Sequence, residues 1–390
     1  MRTLPLQGVR VLSIEQFGSA PYATMFLADM GAEVIKLEAG AGDFARQTGP
    51  KTLGEGDSLY FQCFNMNKKS ALLDIKDGAD YARFLELAAT SDAVINNLRG
   101  HLPAARGLTY AALKASNPAI VCGHISAYGR DNSRQRMPGY DFLMQAEAGL
   151  MAVTGEPGAP PTRIGVSIID YMTGMTMALG VMSAIHSASI DGVGRDVDVS
   201  LFDVAIHQLA YQGVWRLNGQ DVTERAPRSA HSHTTPVQLF RTADGWIYVA
   251  CMSDKFWHVL REKLGQPECL SGAEFASMEG RLSRRDVLTQ RLDEIFSQRP
   301  TEAWLELLEG AVPLAPVRSL DDALDNPFLL DESGMVTSLE HVSGPLRMLA
   351  NPIKLDGARL PQKPGPVLGA DTGAVLASAR AKRDQGRQSS

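Results

Sequence analysis

The stretch of sequence that decides the fold is residues 9–38, which reads VRVLSIEQFGSAPYATMFLADMGAEVIKLE. The β-branched residues of 9–14 predict a strand, and the apolar spacing over 21–30 predicts a helix that stops at Gly31. Residues 33–38 predict a second strand. A strand, a helix and a strand joined by short turns form a parallel unit, so this stretch predicts an α/β fold.

The same alternation continues through the first half of the chain. The pattern predicts helices over 79–89, 110–115 and 202–217, and strands over 92–97, 119–126 and 195–201. Such an order builds a parallel sheet with helices on its faces. Ligands of such a sheet gather at the carboxyl ends of its strands, where this chain is rich in Gly, Asn and Arg.

The second half predicts a separate unit. A polar linker at 218–235 precedes a predicted strand at 246–251, and the helical patterns that follow lie near 254–264, 285–297 and 301–310. From Leu346 the chain contains several prolines and is predicted to be loop-like until a short helix at 372–381. A chain of 390 residues is too long for one small core, so two domains are expected.

Composition excludes several classes of protein. The net charge of −6 argues against nucleic-acid or membrane-surface partners, because no excess of cations is present to neutralise phosphates. The four cysteines form no C-x-x-C pair, which argues against a zinc site and a disulfide framework and favours a reduced, cytoplasmic protein. The first residues lack the apolar core of a signal peptide. The most apolar span, 164–190, is interrupted by Asp170, so we expect a core helix rather than a membrane span.

Asp170 is the most informative candidate for chemistry. It lies between the β-branched, apolar run 164–169 and a long Met-, Ala- and Gly-rich stretch of helical character. A buried charge without a partner is costly, so proteins seldom place one there by accident. A carboxylate at the start of such a helix, facing a cleft, acts as a nucleophile or as a general base.

Other patterns are weaker. The first turn, 15–21, is no G-x-G-x-x-G motif, which argues against a dinucleotide site. Residues 64–74 contain two amides and two lysines and are consistent with either a solvated turn or a clamp for phosphates. His231 and His233 lie two apart in the polar linker, where they are candidates to face a cleft, but two histidines alone make no zinc site.

Taken together, these segments resemble the class III CoA-transferase family, which includes formyl-CoA, carnitine and dicarboxylate CoA-transferases and the 2-methylacyl-CoA racemases. The matching segments occur in family order at 6–12, 31–38, 42–46, 65–70, 125–129, 138–141, 165–174 and 364–369. The resemblance implies an interlocked homodimer with a Rossmann-like large domain and a smaller α+β domain. The large domain would take 1–217, the small domain 236–330, and a return segment, 331–390, would complete the large domain.

The resemblance also implies the site. Asp170 falls on the catalytic aspartate, and the residues implied in CoA contacts are Lys36, Arg46, Asn67, Lys68, Asn97, Arg99 and Arg106. The candidates for the substrate pocket are Gly18, Tyr140, Asp141, His231 and His233. CoA and acyl-CoA would be substrates together with a carboxylic acid, and neither a metal nor a permanently bound cofactor is implied.

Tyr140 separates the two branches of this family. Racemases carry a histidine at this position, which pairs with the aspartate as a second base. An ordinary tyrosine pKa of about 10 suits α-proton exchange poorly, whereas histidine's is about 6.5, so a transferase is favoured. The stretch 229–236 lacks the glycine run of the formyl-CoA subgroup, which argues against formate or oxalate and leaves a short dicarboxylate such as succinate as our interpretation.

The expected chemistry is covalent. Asp170, ionised at neutral pH, would attack the thioester and pass through an aspartyl anhydride and an aspartyl–CoA thioester. Two alternatives stay open from sequence alone: an acyl-CoA racemase or epimerase, and a non-catalytic CoA-binding protein.

Overall fold

The computed structural model describes residues 3–220 and 224–388, with side chains up to residue 381. These residues form two compact units. The first unit comprises Met1–Gly149, Ile164–Ala210 and Pro327–Ser390, and the second comprises Leu150–Arg163 and Tyr211–Asn326. The division differs from the predicted boundaries, because residues 150–163, 211–217 and the linker belong with the second unit, and the return segment begins at 327.

A six-stranded parallel sheet forms the centre of the first unit, as residues 9–38 predicted. Its strands are β1 (Arg10–Ile14), β2 (Glu33–Glu38), β3 (Lys69–Leu72), β4 (Ala93–Asn96), β5 (Val121–Ser126) and β6 (Asp196–Ser200). They lie in the order β3-β2-β1-β4-β5-β6, so the chain reverses its direction across the sheet between β1 and β4. Every residue of β4 and β5 is buried, because helices cover both faces.

Helices pack on both faces of this sheet. Those that begin in the first unit are α1 (Ser19–Asp29), α2 (Leu59–Asn65), α3 (Gly78–Ala88), α4 (Leu102–Ala105), α5 (Tyr110–Leu113), α6 (Asp141–Glu147), α8 (Ile168–Asp191), α9 (Leu201–His207), α10 (Ala210–Leu217) and α16 (Thr372–Gln388). Helices α1 and α8 build one core with Val11 and Ile95, and α3 and α16 build the other with Leu12 and Val94.

The contact between α1 and α8 depends on Gly174. A Cβ atom built there would lie 2.6 Å from the carbonyl oxygen of Ser19, closer than any real side chain approaches. Any larger residue would therefore push the two helices apart. Because Asp170 lies one turn before Gly174 on α8, this close packing fixes the start of α8 against the start of α1.

Helix α8 is, among the described residues, the one helix that is long and apolar enough to cross a membrane by length and composition. Its inner face lies on the sheet, where Met177 and Val181 pack over Gly123, as expected of a core helix. Its outer face exposes the apolar side chains of Leu179 and Ile190.

The return segment is more structured than predicted. Strand β10 (Val336–Leu339) pairs with β11 (Leu346–Leu349), and β12 (Lys354–Leu355) pairs with β13 (Ala358–Arg359). Of these, β11, β12 and β13 lie in the part from Leu346 that was expected to be loop-like. The segment is fastened to the first unit by the buried carboxylate of Asp29, which accepts hydrogen bonds from Asn351 at 2.8 Å and Asn67 at 2.7 Å.

The second unit is a small α+β arrangement. Strands β7 (Val237–Arg241), β8 (Trp246–Ala250) and β9 (Leu314–Pro316) form an antiparallel sheet in the order β7-β8-β9. Its helices are α7 (Leu150–Val153), α11 (Asp254–Lys263), α12 (Met278–Ser283), α13 (Arg285–Phe296), α14 (Thr301–Leu308) and α15 (Leu320–Leu324). Trp257, Phe240 and Phe296 lie at the centre of its core. The predicted helix 202–217 is two helices, because Ala210 adopts a φ of 45° between them.

Candidate active site

A cavity of about 500 Å³ opens at the carboxyl ends of the parallel strands in the first unit. It is lined by residues that directly follow all six strands: 15–19 after β1, Ala39 after β2, 73–76 after β3, 97–99 after β4, Ala127 after β5 and Leu201 after β6. The cavity spans the point between β1 and β4 where the strand order reverses, which is where ligands of open α/β sheets bind.

Asp170 lines this cavity from the first turn of α8. Burial, and then the negative charge of Asp141, raise the pKa of Asp170 from 3.8 to about 7. In the part of the chain that the structure describes, no hydrogen-bond donor is directed at its carboxylate. The carboxylate that was expected to be ionised at neutral pH is therefore only partly ionised there.

Gly18 lies directly against Asp170. A Cβ atom at Gly18 would be 3.1 Å from Asp170 Oδ2, so glycine lets the turn after β1 approach the carboxylate. The preceding residue, Phe17, has a φ of 60°, and its N–H donates to Asp43 Oδ1 at 3.3 Å. Gly18 also begins α1, so the first-turn N–H groups of that helix start beside Asp170.

Aromatic side chains near Asp170 were not predicted. The rings of Tyr22 and Tyr171 lie 5.0 Å apart. Burial, and then the charge of Asp170, raise the pKa of Tyr60 to about 12, so this phenol stays neutral. Burial likewise raises the pKa of Cys63. These residues provide a neutral wall, which no local sequence pattern around Tyr60 or Cys63 revealed.

The resemblance implied CoA contacts for Lys36, Arg46 and Lys68, but these three side chains are buried and do not line the cavity. Lys36 Nζ lies 2.7 Å from Asp43 Oδ2, and Lys68 Nζ lies 2.8 Å from Glu15 Oε1. Burial raises the pKa of Glu15, but the charges of the two lysines outweigh this effect and hold that pKa below its ordinary value. Burial lowers the pKa of Lys68 to about 8. In this structure both lysines are paired with carboxylates beneath the 15–18 turn, and their predicted contact with CoA stays a prediction.

Arg46 and Asn67 have structural partners as well. The Arg46 guanidinium donates to both carboxylate oxygens of Glu38, at 2.9 and 2.7 Å, and stacks 3.7 Å from the centre of the Phe61 ring. Asn67 donates to Asp29 and to the carbonyl of Pro361. Neither residue lines the cavity, so their placement speaks against direct CoA contacts.

Other predicted residues do come together at the cavity. Asn97, Arg99 and Arg106 line it, and the Asn97 amide donates to the carbonyl of Gln16 at 2.7 Å. Lys76 joins them from the loop after β3 and was not predicted. Its position three residues after Leu73, at the carboxyl end of a strand, was the signal available in the sequence.

The remaining candidates for the substrate pocket do not lie together. Tyr140 lines the cavity and is 62% exposed, whereas Asp141 is 2% exposed and faces backbone N–H groups. His231 and His233 belong to the second unit, where their rings lie against Tyr211 and Trp215. Across the described residues, no group of three or more His, Cys, Asp or Glu side chains is arranged to hold a metal ion.

A family model described as CoA-transferase family III matches residues 6–372. The chain therefore belongs to CoA-transferase family III, and the resemblance stated from the sequence is confirmed. Enzymes of this class use CoA thioesters as substrates.

Curated relatives cover most of the chain. A succinyl-CoA:mesaconate CoA-transferase of Haloarcula hispanica is 31% identical over 365 residues, covering 90% of this chain and 90% of the relative. A succinyl-CoA:glutarate CoA-transferase of Homo sapiens is 31% identical over 376 residues, covering 95% and 85%. A solved CAIB/BAIF family protein from Brucella suis is 30% identical, with a TM-score of 0.83 over 97% of this chain and 100% of that one.

Proposed function

We propose that this enzyme moves CoA between an acyl-CoA and a free carboxylic acid, with Asp170 as the covalent nucleophile. The observation that carries the proposal is the position of Asp170: it lines the cavity from the start of α8, its pKa is raised to about 7, and no hydrogen-bond donor among the described residues engages its carboxylate. Such a group is basic enough to attack a carbonyl and is ionised in a useful fraction at neutral pH.

The reaction proceeds through two covalent intermediates. Asp170 Oδ attacks the thioester carbonyl, the C–S bond breaks, and CoA leaves as a thiolate from an aspartyl–acyl anhydride. The thiolate then attacks the aspartyl carbonyl, releasing the first acid as a carboxylate and leaving an aspartyl–CoA thioester. The acceptor carboxylate attacks this thioester, and the same two steps run in reverse.

The turn at Gly18 supports the transition states. Negative charge develops on the carbonyl oxygen that is under attack, next to Asp170. The first-turn N–H groups of α1 begin at this point and have no side-chain cap, so they are the donors that we assign to this oxygen. The phenols of Tyr60 and Tyr171 stay neutral near Asp170, because burial and then the charge of Asp170 raise their pKa.

Three cavity cations are our candidates for the phosphates of CoA. Lys76, Arg99 and Arg106 line the cavity: the first two lie in the loops after β3 and β4, and Arg106 follows α4. Local cations of this kind explain how a chain with a net charge of −6 binds a highly anionic substrate. Asn97 also lines the cavity, where its amide accepts from the N–H of Gln16 and donates to the carbonyl of the same residue.

The substrate class follows from the relatives. Two of those described above are named for succinyl-CoA and a second dicarboxylate, mesaconate or glutarate. We therefore propose a short dicarboxylate such as succinate on the donor or the acceptor side. The family comparisons do not favour the racemase alternative, and Tyr140 stands where the racemases carry a histidine.

We also propose that the chain works as an interlocked homodimer in the cytoplasm, with the first unit as its Rossmann-like CoA-binding domain. The support is the outer face of α8, where the apolar side chains of Leu179 and Ile190 are 68% and 75% exposed. Light scattering at micromolar concentration tests this point, and a monomeric mass would contradict it.

The activity is tested by following CoA exchange between succinyl-CoA and a panel of carboxylic acids. The proposal predicts exchange with at least one dicarboxylate, and loss of exchange in Asp170→Asn with unchanged circular dichroism. Exchange at the wild-type rate in this variant would exclude Asp170 as the nucleophile. Exchange with monocarboxylates alone would exclude the substrate class but keep the chemistry.

A further inference from the structure

We propose that Asp141 and Gln145, one turn apart on α6, are positioning residues. They fix the backbone of the segment that carries the nucleophile Asp170, and Asp141 places a negative charge next to it. The inference rests on the proposed function, in which Asp170 is the nucleophile. It assigns to Asp141 a role other than the substrate contact that the sequence predicted.

Asp141 caps the helix that carries Asp170. Its Oδ2 atom accepts hydrogen bonds from the backbone N–H groups of Ile169, at 2.6 Å, and Asp170, at 3.1 Å. These groups lie in the first turn of α8 and have no partner within the helix. The residue that would ordinarily cap α8, Ser167, makes no side-chain cap. The cap is therefore supplied by another helix.

Gln145 fixes the segment that precedes α8 by binding its backbone. Its Nε2 atom donates to Asp141 Oδ1 at 2.6 Å, and its Oε1 atom accepts from the N–H of Ile164 at 2.9 Å. Asp141 and Gln145 are 2% and 0% exposed, and a spacing of four residues puts them on one face of α6. Together they fix both ends of 164–170.

The arrangement also changes the electrostatics at Asp170. A helix N-terminus ordinarily favours a nearby anion, but here Asp141 engages the N–H groups and adds a repelling charge. Other titratable groups near Asp170 include Tyr60 and Cys63 on α2, Tyr171 on α8 and Tyr22 on α1; burial raises the pKa of each, which keeps them neutral. Glu15 and Asp43 also line the cavity, but each carboxylate is paired with a buried lysine. Asp141 is thus the charged neighbour that raises the basicity of the nucleophile.

The test is the pH dependence of kcat/KM for CoA exchange in Asp141→Asn. This variant removes the charge while keeping an oxygen for the helix N–H groups. Asp170 should then ionise more easily, so the acid limb of the profile should move to lower pH by about one unit. An acid limb that stays in place in a folded, active variant would overturn the electrostatic part of the proposal.

Gln145→Leu tests the geometric part, because it keeps the Asp141 charge and removes the bond to Ile164. We expect the plateau of kcat/KM to fall about tenfold while the acid limb stays close to the wild-type position. An unchanged plateau would overturn the positioning role, even if Asp141→Asn did not fold.

Asp244→Asn is the matched control. Asp244 accepts the first-turn N–H of Thr301 at 2.8 Å and so caps α14 in the second unit. Its loss should change neither the plateau nor the acid limb. Covalent labelling separates the two proposals. If the wild type forms no CoA adduct on Asp170, the proposed function fails. If the adduct forms and the Asp141 and Gln145 variants behave as wild type, only the positioning role of these two residues fails.

Discussion

Replacing Asp170 with asparagine should stabilise the folded protein at neutral and alkaline pH while it removes exchange. The folded structure raises the pKa of this carboxyl from 3.8 to about 7, first through burial and then through Asp141. The unfolded chain ionises the same group near its ordinary pKa. Ionisation therefore opposes folding of the wild type, and asparagine, which stays neutral, avoids this cost.

The magnitude follows from the size of the shift. A difference of about three pKa units at about 1.36 kcal/mol per unit corresponds to about 4 kcal/mol. Solvent reaches part of the carboxylate in the cavity, so we expect a gain of about 2–4 kcal/mol. The folded state binds the Asp170 proton more tightly than the unfolded chain does, so ionisation always lowers the stability of the wild type. This loss of stability is absent below about pH 4, grows between pH 4 and 7, and is constant above pH 7.

The assay is urea unfolding of wild type and Asp170→Asn at pH 5, 6, 7 and 8.5, at one protein concentration. The difference in the free energy of unfolding should favour the variant and grow by about 1–2.5 kcal/mol between pH 5 and 8.5. A difference that does not vary with pH, or a variant less stable than wild type at pH 8.5, would refute the reasoning.

Asp196→Asn serves as the control of opposite sign. Burial raises the pKa of Asp196, but hydrogen bonds from His124 and from the N–H of Tyr110 outweigh it and leave the pKa lowered. The ionised form stabilises the folded state here, with a contribution that is lost as the pH falls through the lowered pKa. This variant should therefore be less stable than wild type at pH 7 and above.

Three further predictions follow from the same structure. Lys76→Ala, Arg99→Ala and Arg106→Ala should each raise KM for acyl-CoA about three- to thirtyfold with little change in kcat, by steady-state kinetics at low salt; an unchanged KM in all three would place the phosphates elsewhere. Gly18→Ala places a Cβ atom 3.1 Å from Asp170 Oδ2, so kcat should fall about tenfold or more while the melting temperature changes little; full activity would contradict the close contact. Lys68→Met leaves Glu15 buried with one cation fewer and should cost about 3–5 kcal/mol by urea unfolding, partly recovered in the double variant with Glu15→Gln; no loss would contradict the buried ion network.

Much of the first unit could be predicted from the sequence. Strands β1, β2, β4 and β5 are almost fully buried and β6 is partly buried. All five contain β-branched residues, and each is followed by a glycine, a proline or a helix signal that marks its end. Helix α2 and strand β3 were harder to predict, because Leu59–Asn65 is short and Lys69–Leu72 contains only two apolar residues. The hairpins of the return segment depend on packing against distant residues, such as Asp29, which local patterns do not report.

The candidate site shows the same limit. Asp170 and Gly18 were identified from the chain because a lone carboxylate before an apolar helix, and a glycine after a strand, are local signals. Lys36 and Lys68 were assigned to a ligand because a lysine in a sequence shows its charge but not its partner. Only the fold reveals that Glu15 and Asp43, from other segments, neutralise them. A contact of this kind joins residues tens of positions apart, beyond the reach of local patterns.

The central claim is a covalent bond between CoA and one carboxylate. The most direct measurement is peptide mapping by mass spectrometry after mixing the enzyme with succinyl-CoA and quenching in mild acid, with and without borohydride. We predict a CoA-sized adduct on the peptide that contains Asp170, converted by borohydride to homoserine at position 170. An adduct on another residue, or exchange with no adduct during turnover, would contradict the account.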